Sequence, residues 1–207
     1  MPESKPRSET RGNWRLYAKV SNVEPIARRY FVISAFDGAL TTLGVTIGAY
    51  LAGRLDPTVI ILAGMSGAMA MTISGFSGAY LTETAERSRK LKRLERAMLN
   101  SMDDTVQWEA ARFATAVTAI VDAISPLLAS LCVLLPFALA EYGVVPISLA
   151  FYLSIVITLV LLLLLGAYLA YISDESVLRY GSRMLVVGMA TAFACILLAL
   201  LLGGGRF

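Results

Sequence analysis

Five apolar stretches, at residues 31–52, 58–82, 113–140, 145–172 and 184–203, dictate what this chain can fold into. Each is near the ~20 residues that a helix needs to cross the hydrocarbon core of a bilayer. A water-soluble domain of 207 residues that is 57% hydrophobic and only 16% charged has no interior large enough to hide its apolar surface. The mean hydropathy of +0.69 points the same way. Glycine and proline occur within the stretches, which spanning helices tolerate when neighbours satisfy the freed backbone groups. The expected fold is an all-α polytopic membrane protein with five transmembrane helices.

Almost all charge falls in three places: the first thirty residues, the stretch 83–112, and the segment 173–183. The chain therefore divides into an N-terminal cytoplasmic or interfacial segment (1–30), transmembrane helices 1 and 2 (31–82), a polar insert (83–112), and transmembrane helices 3 to 5 (113–207). Lysine and arginine crowd the N-terminal segment, the insert from Arg87 to Arg96, and Arg179 with Arg183. The intervening loops hold only Arg54, or none around Glu141-Tyr142-Gly143. Positive charge marks the cytoplasmic side, so the N-terminus is expected inside and the C-terminus outside. The net charge of +3 is then a topology signal and implies no nucleic-acid partner. The first thirty residues lack the apolar region of a cleaved signal peptide. With no organelle-targeting segment in view, a prokaryotic plasma membrane is the default location.

Ahead of the first span, Trp14, Leu16, Tyr17, Val20 and Val23 interleave with Arg15 and Lys19. This suggests an interfacial segment whose length as one helix is limited by Pro25. In the insert, Leu91, Leu94 and Met98 recur at helical spacing, and no Pro or Gly interrupts Glu83 to Arg112. A short cytoplasmic helical hairpin is expected, turning at 100–104 with Ser101 or Asp103 as the cap. Its basic run is suited to anchoring the inside face, and also to attracting anionic lipid headgroups. Glu83 with Glu86, and Met98 with Met102, share helix faces, a carboxylate and thioether set able to meet a divalent transition metal. The same spacing is what an ordinary solvated helix shows.

The strongest functional signal is a pair of aspartates inside the apolar stretches. Asp37 begins Asp37-Gly38-Ala39-Leu40-Thr41, and Asp122 begins Asp122-Ala123-Ile124-Ser125-Pro126. A carboxylate at membrane depth costs several kcal/mol unless it is paired, protonated, hydrated or bound to a cation, so two of them point to an ion or proton path. Thr41, at i+4, faces the side of Asp37. Pro126 cannot donate to the carbonyl of Asp122, and a freed carbonyl beside a carboxylate is a recurring cation-site construction. The second stretch is rich in small residues and carries Met65, Met69 and Met71; a core methionine is more often packing than ligand, and beside a membrane carboxylate the two readings come closer to even. Histidine is absent, which removes imidazole ligands and the usual near-neutral proton relay. Cys132 and Cys195 lie within spans and read as packing residues.

These residues resemble the vacuolar iron transporter family of divalent-metal transporters. The likeness rests on Asp37-Gly38, on Gly67-Ala68-Met69-Ala70-Met71 followed by Ile73, on the charged helical insert, and on the five-helix plan. The resemblance implies a homodimer that moves ferrous iron or manganese against protons along a path at the dimer interface. It matches Asp37 to the family's helix-one carboxylate and Met71 to its helix-two methionine. The chain reads as a divergent, minimal member: Ala63 stands where a helix-two glutamate is usual, Ser74-Gly75 replaces a Gly-Glu pair, and the insert is short.

The expected function is therefore a dimeric, proton-coupled exporter of Fe2+ or Mn2+ from the cytoplasm. Asp37, Thr41, Met71, Asp122 and Ser125 would form the path. Asp37, Met71 and Asp122 would be metal ligands, with Glu83 and Glu86 at the vestibule. The metal is substrate, and no permanently bound cofactor is expected. The alternative is a non-transporting structural or regulatory membrane protein whose aspartates are protonated and hydrogen-bonded between helices. An enzyme is disfavoured: there is no histidine, no metalloprotease motif, and none of the Tyr-Asp and Gly-any-Gly-Asp patterns of aspartyl intramembrane proteases.

Overall fold

The computed structural model describes residues 14–53, 55–98 and 105–203, and these form six helices. They are α1 (Trp14–Ser21), α2 (Val23–Leu51), α3 (Pro57–Met98), α4 (Val106–Glu141), α5 (Ile147–Ile172) and α6 (Val177–Gly203). The last five are long and apolar enough to cross a membrane. Helices extend beyond the apolar stretches at several ends, because hydropathy marks where lipid begins and says little about where backbone hydrogen bonding stops.

The break between α1 and α2 falls at Asn22, not at Pro25. Asn22 adopts a left-handed conformation (φ 47°), which asparagine tolerates better than most residues. Pro25 sits in the first turn of α2, where its missing N–H costs nothing. At the start of α3, the Asp56 carboxylate accepts from the backbone N–H groups of Thr58 (2.9 Å) and Val59 (3.4 Å), which caps the helix ahead of Pro57.

α3 is unbroken for 42 residues, roughly 60 Å at 1.5 Å per residue, about twice the hydrocarbon thickness. Its C-terminal part, beginning at Glu83, therefore runs past the apolar layer, and the start of α4 packs against it. The turn expected at 100–104, its caps Ser101 and Asp103, and Met102 lie outside the described residues, as does the side chain of Met98.

α4 is the central helix, half-buried along its apolar length and touching α1, α2, α3 and α5. α2 crosses it closely at Gly38, where a Cβ would stand 2.5 Å from the carbonyl oxygen of Pro126 and 2.6 Å from its Cα. A polar knot lies beside that crossing. The Thr42 hydroxyl is 2.9 Å from both the Gly38 carbonyl and Ser130 Oγ, and Ser130 donates to the same carbonyl at 3.2 Å. Removed from water, such bonds hold two helices in one register. On the other side, Gly166 of α5 meets the backbone of α6 at Gly181, with only 2.9 Å from its would-be Cβ to the Gly181 Cα. α6 and the spanning part of α3 bury little of their apolar surface, leaving Met69, Ile73 and Phe76 of α3 exposed. Both cysteines are free.

Candidate functional site

A cavity of about 510 Å3 opens between α2, α3 and α4. From α2 it takes Tyr30, Ser34 and Asp37, spaced i, i+4 and i+7 on one helix face. From α3 come Ala70, Met71, Ser74 and Gly75, and from α4 come Asp122 and Pro126, one turn apart. Two carboxylates separated by 85 positions thus wall one space, with a thioether opposite.

The two acids differ in environment. Asp37 is exposed at the open side of the cavity, with no hydrogen-bond or ion-pair partner among the described residues. Asp122 is 9% exposed; its Oδ1 accepts from Ser34 Oγ. Its Oδ2 lies 3.0 Å, and its main-chain carbonyl 3.4 Å, from where a Cβ on Gly75 would stand. Glycine at 75 therefore lets the α3 backbone approach the Asp122 carboxylate and the very carbonyl that Pro126 leaves without its helical donor. Placing small residues along this seam is how the chain brings the acid, the carbonyl and the thioether into one volume.

Thr41 stands one turn beyond Asp37 and donates to the Met71 sulfur at 3.7 Å, which orients the thioether. Ser125 is turned elsewhere: its hydroxyl donates to the Val121 carbonyl of its own helix, and it does not line the cavity. Glu83 is 8% exposed and accepts from Arg87 Nε at 3.0 Å, while exposed Glu86 pairs with Lys90 at 3.5 Å. Neither lines the cavity. Among the described residues no three of His, Cys, Asp and Glu come together. The arrangement is two acids supplemented by neutral oxygen and sulfur, suited to passing a cation and too sparse to hold a structural one.

Ser34 and Tyr30 were missed as wall residues in the sequence. Their signal was present: both share the helical face of Asp37, three and seven residues upstream.

Comparison with known proteins bears on this geometry. The sequence pattern of the VIT family matches residues 28–109 and 89–200, which together take in every wall of the cavity. An uncharacterized protein of Methanocaldococcus jannaschii is 32% identical over 173 residues, covering 82% of this chain and 87% of the relative. Five helices of spanning length make the chain an integral membrane protein, and the match places it among membrane transporters of metal or other ions. The chain belongs to the VIT family.

Proposed function

We propose that the protein exports a divalent transition metal, Fe2+ or Mn2+, from the cytoplasm in exchange for protons, through the cavity between α2, α3 and α4. The observation that carries this reading is the convergence of Asp37, Asp122 and the Met71 thioether on one space at membrane depth. Carboxylates alone favour hard ions such as Mg2+ and Ca2+, whereas a thioether shifts preference toward softer first-row metals. Two carboxylates without a counter-cation are costly in this setting, so either a dication or protons must accompany them. Alternation between those two states couples the fluxes. Asp37 at the open side meets the ion first, and Asp122, held by Ser34, receives it beside the free carbonyl. Few ligands and no third acid keep binding weak enough for release.

Cytoplasmic orientation of the N-terminus rests on the lysine and arginine distribution. Homodimerisation is supported by the open side of the cavity at Asp37 and by the exposed α3 face at Met69, Ile73 and Phe76, which a second copy would cover. Glu83 and Glu86, each already paired with a basic residue, serve at most as an electrostatic vestibule.

The bond between Ser34 and Asp122 favours a second reading, in which Asp122 is neutral and only binds helices together. Proteoliposome flux separates the two. An exporter moves Fe2+ or Mn2+ under a pH gradient and stops when Asp37 and Asp122 are both replaced by asparagine; a purely structural pair shows no flux in either protein.

A further inference from the structure

A second cavity, about 420 Å3, lies between α3 and α4 and shares no wall with the first. Its walls include Arg87 and Ser88 of α3, Arg112 and Trp108 of α4, and Tyr80. It straddles the boundary at which both helices change from apolar to charged, since α3 carries its first charge after the apolar stretch at Glu83 and Arg112 is the last charge before the apolar part of α4. Tyr and Trp at such a boundary mark headgroup depth.

The cavity carries unspent positive charge. The Arg87 side chain is only 12% exposed; its Nε is used by Glu83, and its Nη2 is buried with no hydrogen-bond partner among the described residues. Leaving a buried guanidinium N–H unmade is costly, which calls for an acceptor that the described residues do not supply. Arg112, across the cavity, is exposed and has no ion-pair partner among the described residues. Glu83 neutralises at most one of the two guanidinium groups, and Glu86 is taken up by Lys90. Two arginines flanking a largely apolar pocket form the fork-shaped donor array that suits a phosphate whose attached chain is apolar.

We infer that this cavity binds the phosphate of an anionic phospholipid headgroup, held between Arg87 and Arg112 with Trp108 and Tyr80 against the glycerol region. The inference is independent of the transport reading. Bound there, the lipid ties the α3 extension to the start of α4 at the membrane surface.

The test uses the full chain with Trp14→Phe, which leaves Trp108 as the sole tryptophan. Its emission in detergent is titrated with phosphatidylglycerol, phosphatidylcholine and inorganic phosphate. The expected result is a saturable change with phosphatidylglycerol, weakened about fivefold by Arg112→Gln, the contribution of one interfacial basic residue, and weakened also by Arg87→Lys, which keeps the charge but loses the guanidinium fork. Arg112 is exposed and Arg87→Lys keeps the partner for Glu83, so neither change removes folding support. Arg93→Gln, on the same basic run but outside the cavity, leaves the titration unchanged. Equal weakening by Arg93→Gln, or none by the two cavity variants, would overturn the site. Saturation by inorganic phosphate with no response to phosphatidylglycerol would overturn the lipid as its source.

Discussion

Replacing Gly38 with alanine puts one methyl group into the crossing that sets the distance between α2 and α4. The added Cβ would stand 2.5 Å from the Pro126 oxygen and 2.6 Å from its Cα. Unstrained C···O approaches begin near ~3.3 Å, so the contact is short by about 0.8 Å. Both obstructing atoms are backbone, so no rotamer change relieves the clash, and the helices must part by about 1 Å. Overpacking of this kind costs about 1–3 kcal/mol. Separation also stretches the 3.2 Å bond from Ser130 to the Gly38 carbonyl beyond hydrogen-bonding range, losing about 0.6 kcal/mol in a membrane setting. The sum is a destabilisation of about 1.6–3.6 kcal/mol, or roughly 3–14 °C in thermal midpoint for a chain of this length. Gly48 is the internal control, because nothing lies within 4 Å of its would-be Cβ. Thermal unfolding of detergent-purified Gly38→Ala and Gly48→Ala, followed by size-exclusion recovery, measures the contrast. Equal midpoints for the two variants would refute the close crossing of α2 and α4 at Gly38.

Three further outcomes follow from particular contacts. Ser34→Ala removes the donor to Asp122 Oδ1 and should lower stability by about 1 kcal/mol, while reducing flux less than Asp122→Asn does; an Asp122→Asn protein with full flux contradicts the site. Met71→Leu preserves volume, so it should cost under about 1.5 kcal/mol in stability, yet weaken Fe2+ and Mn2+ transport relative to any residual Mg2+ transport, as read by ion competition in proteoliposomes. Outside the membrane, Tyr17 donates to the Glu109 carboxylate at 2.6 Å, and that bond, followed by burial and the charge of Glu109, raises its pKa above the ordinary 10.0. A phenol whose folded pKa is raised contributes stability below pH 10 that is lost as pH climbs through the folded value. Tyr17→Phe should therefore flatten the alkaline fall in stability above pH 10, measured by thermal midpoint against pH.

Much of this architecture is written in the sequence, for physical reasons that also mark where it stops. Apolar stretches of spanning length have one stable solution in lipid, so the five spanning helices follow directly. Their ends do not, because the backbone of α3 continues helical past Leu81 into charged sequence once water can solvate its side chains. The position of the α1–α2 break was hidden, since proline in a first turn and proline as a helix breaker look alike until the preceding backbone is known.

At the candidate site, Asp37, Asp122 and Met71 stood out because charge and sulfur are conspicuous among small apolar residues. Ser125 stood out as well, but a serine within an apolar helix readily satisfies itself on the carbonyl four residues back, as it does here on Val121. Ser34 was inconspicuous, although its i−3 spacing from Asp37 was legible. The role of Gly75 depends on which helix lies opposite it, and that is a tertiary fact no local pattern contains. Glu83 and Glu86 each had a basic residue four positions downstream, and those pairs form.

The most direct test of the transport account is Fe2+ and Mn2+ uptake into proteoliposomes across an imposed pH gradient, comparing the parent protein with Asp37→Ala. The account predicts gradient-dependent flux of at least one of the two ions in the parent, and none in an Asp37→Ala protein that purifies with the same thermal midpoint. Undiminished flux in Asp37→Ala, or no flux of either ion from the folded parent, would contradict it.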